Sequence, residues 1–267
     1  MIAAPFITSD GIVDLLQQLL LFIASLTANT LSALAGGGAG LLQLPVLLFL
    51  GLGFSSALVT HKIASVALGV GASVRHFRAS SLNRYFALFI LACGLPGVVT
   101  GALIILKFDD QISKLALGLL TTSLGLYSIS KTELGQTAEP CHRDPAGFLL
   151  GGAVLYIIGT LNGSLTSGTG LFVTLWLVRW FGLDYKQAVA YTLVLVGLFW
   201  NGMGAATLAL QAPIQWEWLP ALILGSLLGG YLGAHLSLIK GNRWVKRCFE
   251  ALTLLVGVKL IWDALHY

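Results

Sequence analysis

The chain has 267 residues, of which 57% are hydrophobic and only 10% charged, with a formal net charge of +4. Soluble domains usually carry about 25% charged residues, so this composition excludes an ordinary soluble protein and selects an integral membrane one. There are seven prolines and no long polar segment, which leaves no room for a separate soluble domain.

The first residues, MIAAPFITSD, lack the cationic start of a secretory signal, so the first hydrophobic run is expected to be retained. A bilayer span takes about 20 apolar residues, or roughly 17–25 with tilt. Runs of that length fall at 12–35, 55–76, 85–106, 113–130, 147–163, 187–210, 216–238 and 245–265. Two further runs, 41–51 and 171–182, are about half as long. The prediction is an all-α polytopic membrane protein of ten elements in two groups of five. Cys93, Cys141 and Cys248 are scattered, with no CxxC or Cys/His cluster, and predict neither disulfides nor a metal site.

The two groups resemble each other. Gly38-Ala39-Gly40-Leu41 matches Gly168-Thr169-Gly170-Leu171, and Gly51-Leu52 matches Gly182-Leu183. Ala57 pairs with Ala188, Gly97 with Gly229, Gly101-Ala102 with Gly233-Ala234, Lys114 with Lys246 and Gly125 with Gly257. The offset drifts only from 130 to 132 residues, which a chance glycine match would not sustain along the chain. We read a first repeat over 1–130, a linker over 131–146 and a second repeat over 147–267.

Charge sets the expected orientation. Alternation places Arg75, Arg78, Arg84, Lys131, Arg143, Arg179, Lys186, Lys240, Arg243, Lys246 and Arg247 on one side, and only Lys107 and Lys114 on the other. Under the positive-inside rule the first side is cytoplasmic and both termini are outside. Five elements per repeat, an odd number, make the second copy inverted. Each short run then becomes the second arm of a hairpin, with tips at Gly36–Gly40 and Asn162–Gly170 facing each other near the midplane. Interrupted helices of this kind form substrate sites in secondary transporters.

The tips carry the expected chemistry. Gly36, Gly37, Gly38 and Gly40 let the backbone turn tightly and approach a ligand. The short helices start just after the tips, so their free N–H groups and dipoles favour an anion there. The second tip adds Asn162, Ser164, Thr166, Ser167 and Thr169 as donors, beside Gly168 and Gly170. Close-packing glycines are the plainer reading of both. Lys62, after Thr60 and His61, lies inside a span, where a charge costs at least about 2.5 kcal/mol unless it faces a polar interior. With Ser65, Gly69, Ser73 and His76 it forms a polar stripe. Lys62 is read either as a charge for the substrate or as a side chain snorkelling to the headgroups. His61 is a weaker candidate. In the second half Tyr191 and Thr192 stand at the positions of Thr60 and His61, no lysine follows, and Asn201 lies deeper, so the site is expected to be asymmetric. Gly97, Gly101, Gly225, Gly229 and Gly233 read as helix-contact ridges, and Lys246–Glu250 and Lys259–Asp263 as local pairs.

The stretch GGGAGLLQLPVLLFLG, followed by Thr60-His61-Lys62, resembles the first motif of the TauE/SafE family of sulfite and organosulfonate exporters. SGTGLF, with Lys186-Gln187-Ala188 and Phe199-Trp200-Asn201, resembles its second. His61 departs from the expected Asn or Ser, and the second tip lacks the triple glycine and the proline. The resemblance covers nearly the whole chain. It implies a permease of the bacterial inner membrane for sulfite, a sulfonate or another sulfur-containing or organic anion.

The expected function is secondary transport by alternating access, without a cofactor or catalytic step. The partners are a small anion and the lipid bilayer, with a proton as candidate coupling ion and no role for nucleic acid. Direct ATP drive would need a motif such as GxxxxGK[ST], and none is present. A cation permease would need midplane carboxylates, which are missing. The alternative is a non-transport membrane protein, either a structural subunit or a membrane enzyme or redox-assembly factor.

Overall fold

A computed structural model describes residues 15–76, 82–104, 110–166 and 168–265. The site candidate Ser167 and the orientation markers Arg78 and Lys107 lie outside the described residues. Among those described, the fold is all-α, with ten main helices. They are α1 (Leu15–Ala35), α2 (Ala39–Phe49), α3 (Phe54–His76), α4 (Arg84–Ile104), α5 (Asp110–Ser130), α6 (Pro145–Ser164), α7 (Thr169–Arg179), α8 (Tyr185–Ala209), α9 (Leu219–Lys240) and α10 (Asn242–Leu265). A 3-10 turn, Trp216–Trp218, leads into α9.

Helix boundaries follow local chemistry. Asn83 accepts from the N–H groups of Tyr85 and Phe86 at the start of α4, and Asp184 accepts from Gln187 N–H at the start of α8. Pro145 opens α6, where its missing N–H does no harm. The half-length helices α2 and α7 have 11 residues each. At about 1.5 Å per residue each is only half a membrane span. Positive-φ glycines follow both, Gly51 at +97° and Gly182 at +68°.

Among the described residues, six helices are long and apolar enough to cross a membrane: α1, α3, α4, α6, α8 and α9. The protein is therefore integral to the membrane. Its outer surface is apolar, with Leu149, Tyr85 and Leu255 all exposed. The inner packing places α1 along α9 and α4 along α6, while α3 crosses both α8 and α9, and α5 pairs with α10. Gly225, Gly229 and Gly233 bring α9 against the backbone of α1, and Gly97 and Gly101 bring α4 against α6. Lys246 pairs with Glu250 and also donates to Ser128 O at 2.7 Å. Ser128 Oγ in turn lies 2.9 Å from Tyr185 Oη, so the α5–α10 pair is tied to the start of α8. Lys259 and Asp263 pair within α10.

Helix α8 is not uniform. Between α-helical ends, Thr192–Trp200 is wound as a nine-residue π-helix. Such windings are rare, mostly single-turn and concentrated at functional sites. Here the π segment lies against α3, where Gly69 and Gly197 meet backbone to backbone.

Candidate functional site

The chain between α1 and α2 reverses through three consecutive positive-φ glycines, Gly36 at +89°, Gly37 at +140° and Gly38 at +100°. A side chain at any of them would be strained. The turn between α6 and α7 uses one such glycine, Gly168 at +76°, and a threonine, Thr166, at +59°. A β-branched residue there is a true outlier and costs about 1–3 kcal/mol. Its surroundings hold it. Thr166 Oγ1 donates to Asn162 O at 3.0 Å, and Thr169 Oγ1 donates to Thr166 O at 3.0 Å. Asn162 Nδ2 donates to Thr169 Oγ1 at 2.9 Å.

The two turns do not face each other across a gap. They overlap, and an added Cβ at Gly37 would fall 2.5 Å from the carbonyl carbon of Gly170. Thr174 of α7 donates to Gly36 O at 2.7 Å and meets Thr192 Oγ1 at 2.9 Å, pinning the first turn to the second half of the chain. Beside this contact lies a cavity of about 40 Å³, several times the roughly 10–15 Å³ that one water needs. Gly37, Gly38, Gly40, His61, Asn162, Thr166, Gly170, Thr192 and Asn201 line it, together with Ser32, Ser65 and a few apolar side chains. Among the described residues no carboxylate lines it. Neither Gly38 nor Gly168 provides a side-chain cap. In α7, Leu171 N–H turns back to Gly168 O at 2.9 Å, and the N-terminal ends of α2 and α7, at Gly40 and Gly170, border the cavity.

Other sequence candidates lie apart from the cavity. Gly36 supports it from behind through Thr174. Thr60 Oγ1, in the second turn of α3, accepts from Gln215 N–H at 3.1 Å. Ser164 Oγ bonds back to Thr160 O at 2.9 Å within α6. Gly168 and Thr169 shape the turn without lining the cavity. Tyr191 opens into a different pocket.

Lys62 is fully buried, so it does not reach the headgroups, and it does not line the cavity. Its Nζ donates to Asn162 O at 2.8 Å and approaches Asn162 Oδ1 at 3.3 Å. It therefore spans the two halves as a strut. Gly204 leaves room for it, since a Cβ there would sit 3.0 Å from Nζ.

His61 opens onto the cavity and heads a buried polar chain that the sequence reading missed. Gln43 Nε2 donates to Ser25 Oγ at 3.0 Å, which turns Gln43 Oε1 toward His61 Nδ1 at 2.8 Å. An oxygen acceptor at that nitrogen puts the ring hydrogen on Nδ1. Nε2 is left as the acceptor, 3.1 Å from Ser65 Oγ. Ser25 Oγ donates on to Leu222 O at 2.7 Å, and Ser226 Oγ lies 3.0 Å away. A glutamine inside the apolar run 41–51, and Ser25, Asn29 and Ser32 inside the first span, were the signals available.

The family profile described as "Sulfite exporter TauE/SafE" matches residues 21–260. The chain is similar to a Haemophilus influenzae protein named "Probable membrane transporter protein", at 29% identity over 94% of this chain and 96% of that one. It is also similar to "Probable membrane transporter protein YfcA" of Escherichia coli K12, at 25% over 91% and 89%. A third similar protein is "Probable membrane transporter protein ORF9" of a Sinorhizobium species, at 27% over 92% and 93%. No solved structure matches the chain.

Proposed function

The chain belongs to the sulfite exporter TauE/SafE family and is a membrane transporter, and from that premise we propose that it carries a small anion by alternating access through the central cavity. The cargo is sulfite, a sulfonate or another sulfur-containing or organic anion. One observation carries the reading: the starts of α2 and α7 meet Ser32, Thr192 and Asn201 at a buried cavity that has, among the described residues, no carboxylate in its lining. Such a site rewards negative charge, and its neutral donors let the anion leave again.

In this reading residues 1–130 and 147–267 are inverted repeats joined by 131–146. The exchange of packing partners, α1 on α9 and α4 on α6, supports that pairing. One repeat rocks against the other about the Gly37–Gly170 contact. The protein sits in the bacterial inner membrane with both termini outside the cytoplasm, as its cation distribution favours. No catalytic step is involved.

The coupling ion is a proton carried by His61. Among the described residues it is the one titratable side chain in the cavity lining. Its Nε2 is presented as an acceptor by the Gln43–Ser25 arrangement, and the neighbouring Lys62 is turned away onto Asn162.

Counterflow of a labelled oxyanion panel in liposomes tests both parts. Wild-type protein should exchange sulfite or a sulfonate. His61→Asn should keep counterflow and lose accumulation driven by a pH gradient. Absence of counterflow for every anion refutes transport of anions, whereas gradient-driven accumulation by His61→Asn refutes only the proton assignment.

A further inference from the structure

A second pocket lies one residue along α8 from the first. Its volume is about 310 Å³, at the small end of the usual range for ligand sites, roughly 300–1,000 Å³. Asn83 and Phe86 at the start of α4, Arg143 just before α6, and Gln187 and Tyr191 of α8 line it, so both halves of the chain contribute. It opens on the face that carries the 131–146 connection.

The arrangement of Arg143 is specific. Its guanidinium carbon lies 4.6 Å from the ring centre of Phe86 and 5.7 Å from that of Phe181. One Nη contacts Phe181 O at the long distance of 3.4 Å. Stacking holds a guanidinium by its faces and leaves the N–H groups along its edge for an oxyanion, which the planar fork can take with two parallel bonds. Among the described residues no carboxylate pairs with Arg143. Asp144 and Asp184 adjoin the lining residues Arg143 and Leu183 in sequence but do not line the pocket, and Asp184 is occupied with Gln187 N–H at 2.9 Å.

Tyr191 adds a further donor. Its Oη accepts from Asn83 N–H at 2.8 Å, so the hydroxyl hydrogen remains to be given away. Phe86 stands edge-on to its ring at 5.3 Å. The next residue, Thr192, faces the central cavity. Tyr191 and Phe86 thus line this pocket, and the chain neighbour of Tyr191 lines the central one.

We propose that this pocket is an outer anion site, in which Arg143 and Tyr191 hold a small sulfonate or carboxylate before it passes on to the central cavity. The assignment rests on the anion-transport reading and gives it a charge-selecting station that the central cavity, with Lys62 turned aside, does not itself contain.

The test uses the purified full-length chain and phenylglyoxal, which modifies free guanidinium groups, with the modified arginines read by mass spectrometry. Methanesulfonate at about ten times its half-saturating concentration should slow modification of Arg143 by about tenfold, as mass action requires. Dimethyl sulfone, of similar shape and no charge, should give no protection. Arg179, bonded to Tyr127 Oη and outside the pocket, should be unaffected in both cases. Arg143→Gln should raise the half-saturating concentration for methanesulfonate counterflow by about tenfold, and Arg143→Lys by less, because lysine keeps the charge without the fork. Counterflow by wild-type protein without protection of Arg143 overturns the outer site and leaves the transport reading standing. Equal protection by dimethyl sulfone also overturns it. Protection without counterflow supports the site as an anion site and removes the transport reading, and loss of both removes both.

Discussion

At the first turn, Gly36, Gly37 and Gly38 achieve by backbone freedom alone what the second turn achieves with side chains. The first reversal has three positive-φ glycines and is pinned from outside, through Thr174 to Gly36 O. The second has one glycine, a strained Thr166, and a mesh of Asn162, Thr166 and Thr169, braced by Lys62 from the other half. A turn built of glycine brings its amides close to a ligand but loses more entropy on ordering. A turn built of hydrogen-bonded side chains is stiffer and depends on every member of the mesh. The lesson is that similar motifs 130 residues apart can place backbones alike while dividing the work differently.

Four variants would sharpen or break this contrast. The largest effect is expected at the contact itself. Gly37→Ala would set a Cβ 2.5 Å from Gly170 at a φ of +140°, combining overpacking, typically about 1–3 kcal/mol, with backbone strain. It should abolish counterflow and lower Tm clearly. Gly170→Ala would place its Cβ 2.9 Å from Gly37 Cα with no φ penalty, and should do markedly less harm. Equal losses in a paired thermal-melt and counterflow comparison would erase the distinction between the two turns.

The second effect is intermediate. Lys62→Met removes the strut and leaves the buried Asn162 carbonyl with Thr166 alone. Losing a buried partner of this kind costs about 1–3 kcal/mol. Anion affinity should fall with the loosening of the second turn while the first stays intact, read as faster hydrogen exchange over 162–170 and no change over 36–40. Unchanged exchange with lost affinity would instead give Lys62 direct contact with the anion.

The smallest effect belongs to Thr166→Gly. It relieves the strain at +59° and gives up the hydroxyl bond to Asn162 O. These offset each other to within about 1 kcal/mol. Tm should scarcely move, and a drop of many degrees would mean that the mesh outweighs the strain.

Much of the architecture was legible because the bilayer imposes lengths. Runs at 41–51 and 171–182 could not span it, and they became α2 and α7. The glycine ridges on α4 and α9 were equally readable, since only close packing explains their spacing. The candidate site was less so. A lysine inside a span announces that it needs a partner, but the partner is a backbone carbonyl 100 residues away, which no residue type encodes. Tyr191 and Thr192 read as one pair, yet successive helical residues point about 100° apart, and they open into separate spaces. Gln43 was hidden by the apolar run around it, and its importance appears only when His61 is set beside it.

The π winding of α8 has a mechanical consequence. A helix bonded five residues back holds more residues in a given length than one bonded four back. Residues 192–200 therefore store slack in the middle of the element that walls both pockets. Rewinding them would lengthen α8 like a screw-jack and swivel Asn201 relative to Thr192, so that a change of pitch at one level would move the residues above and below it together.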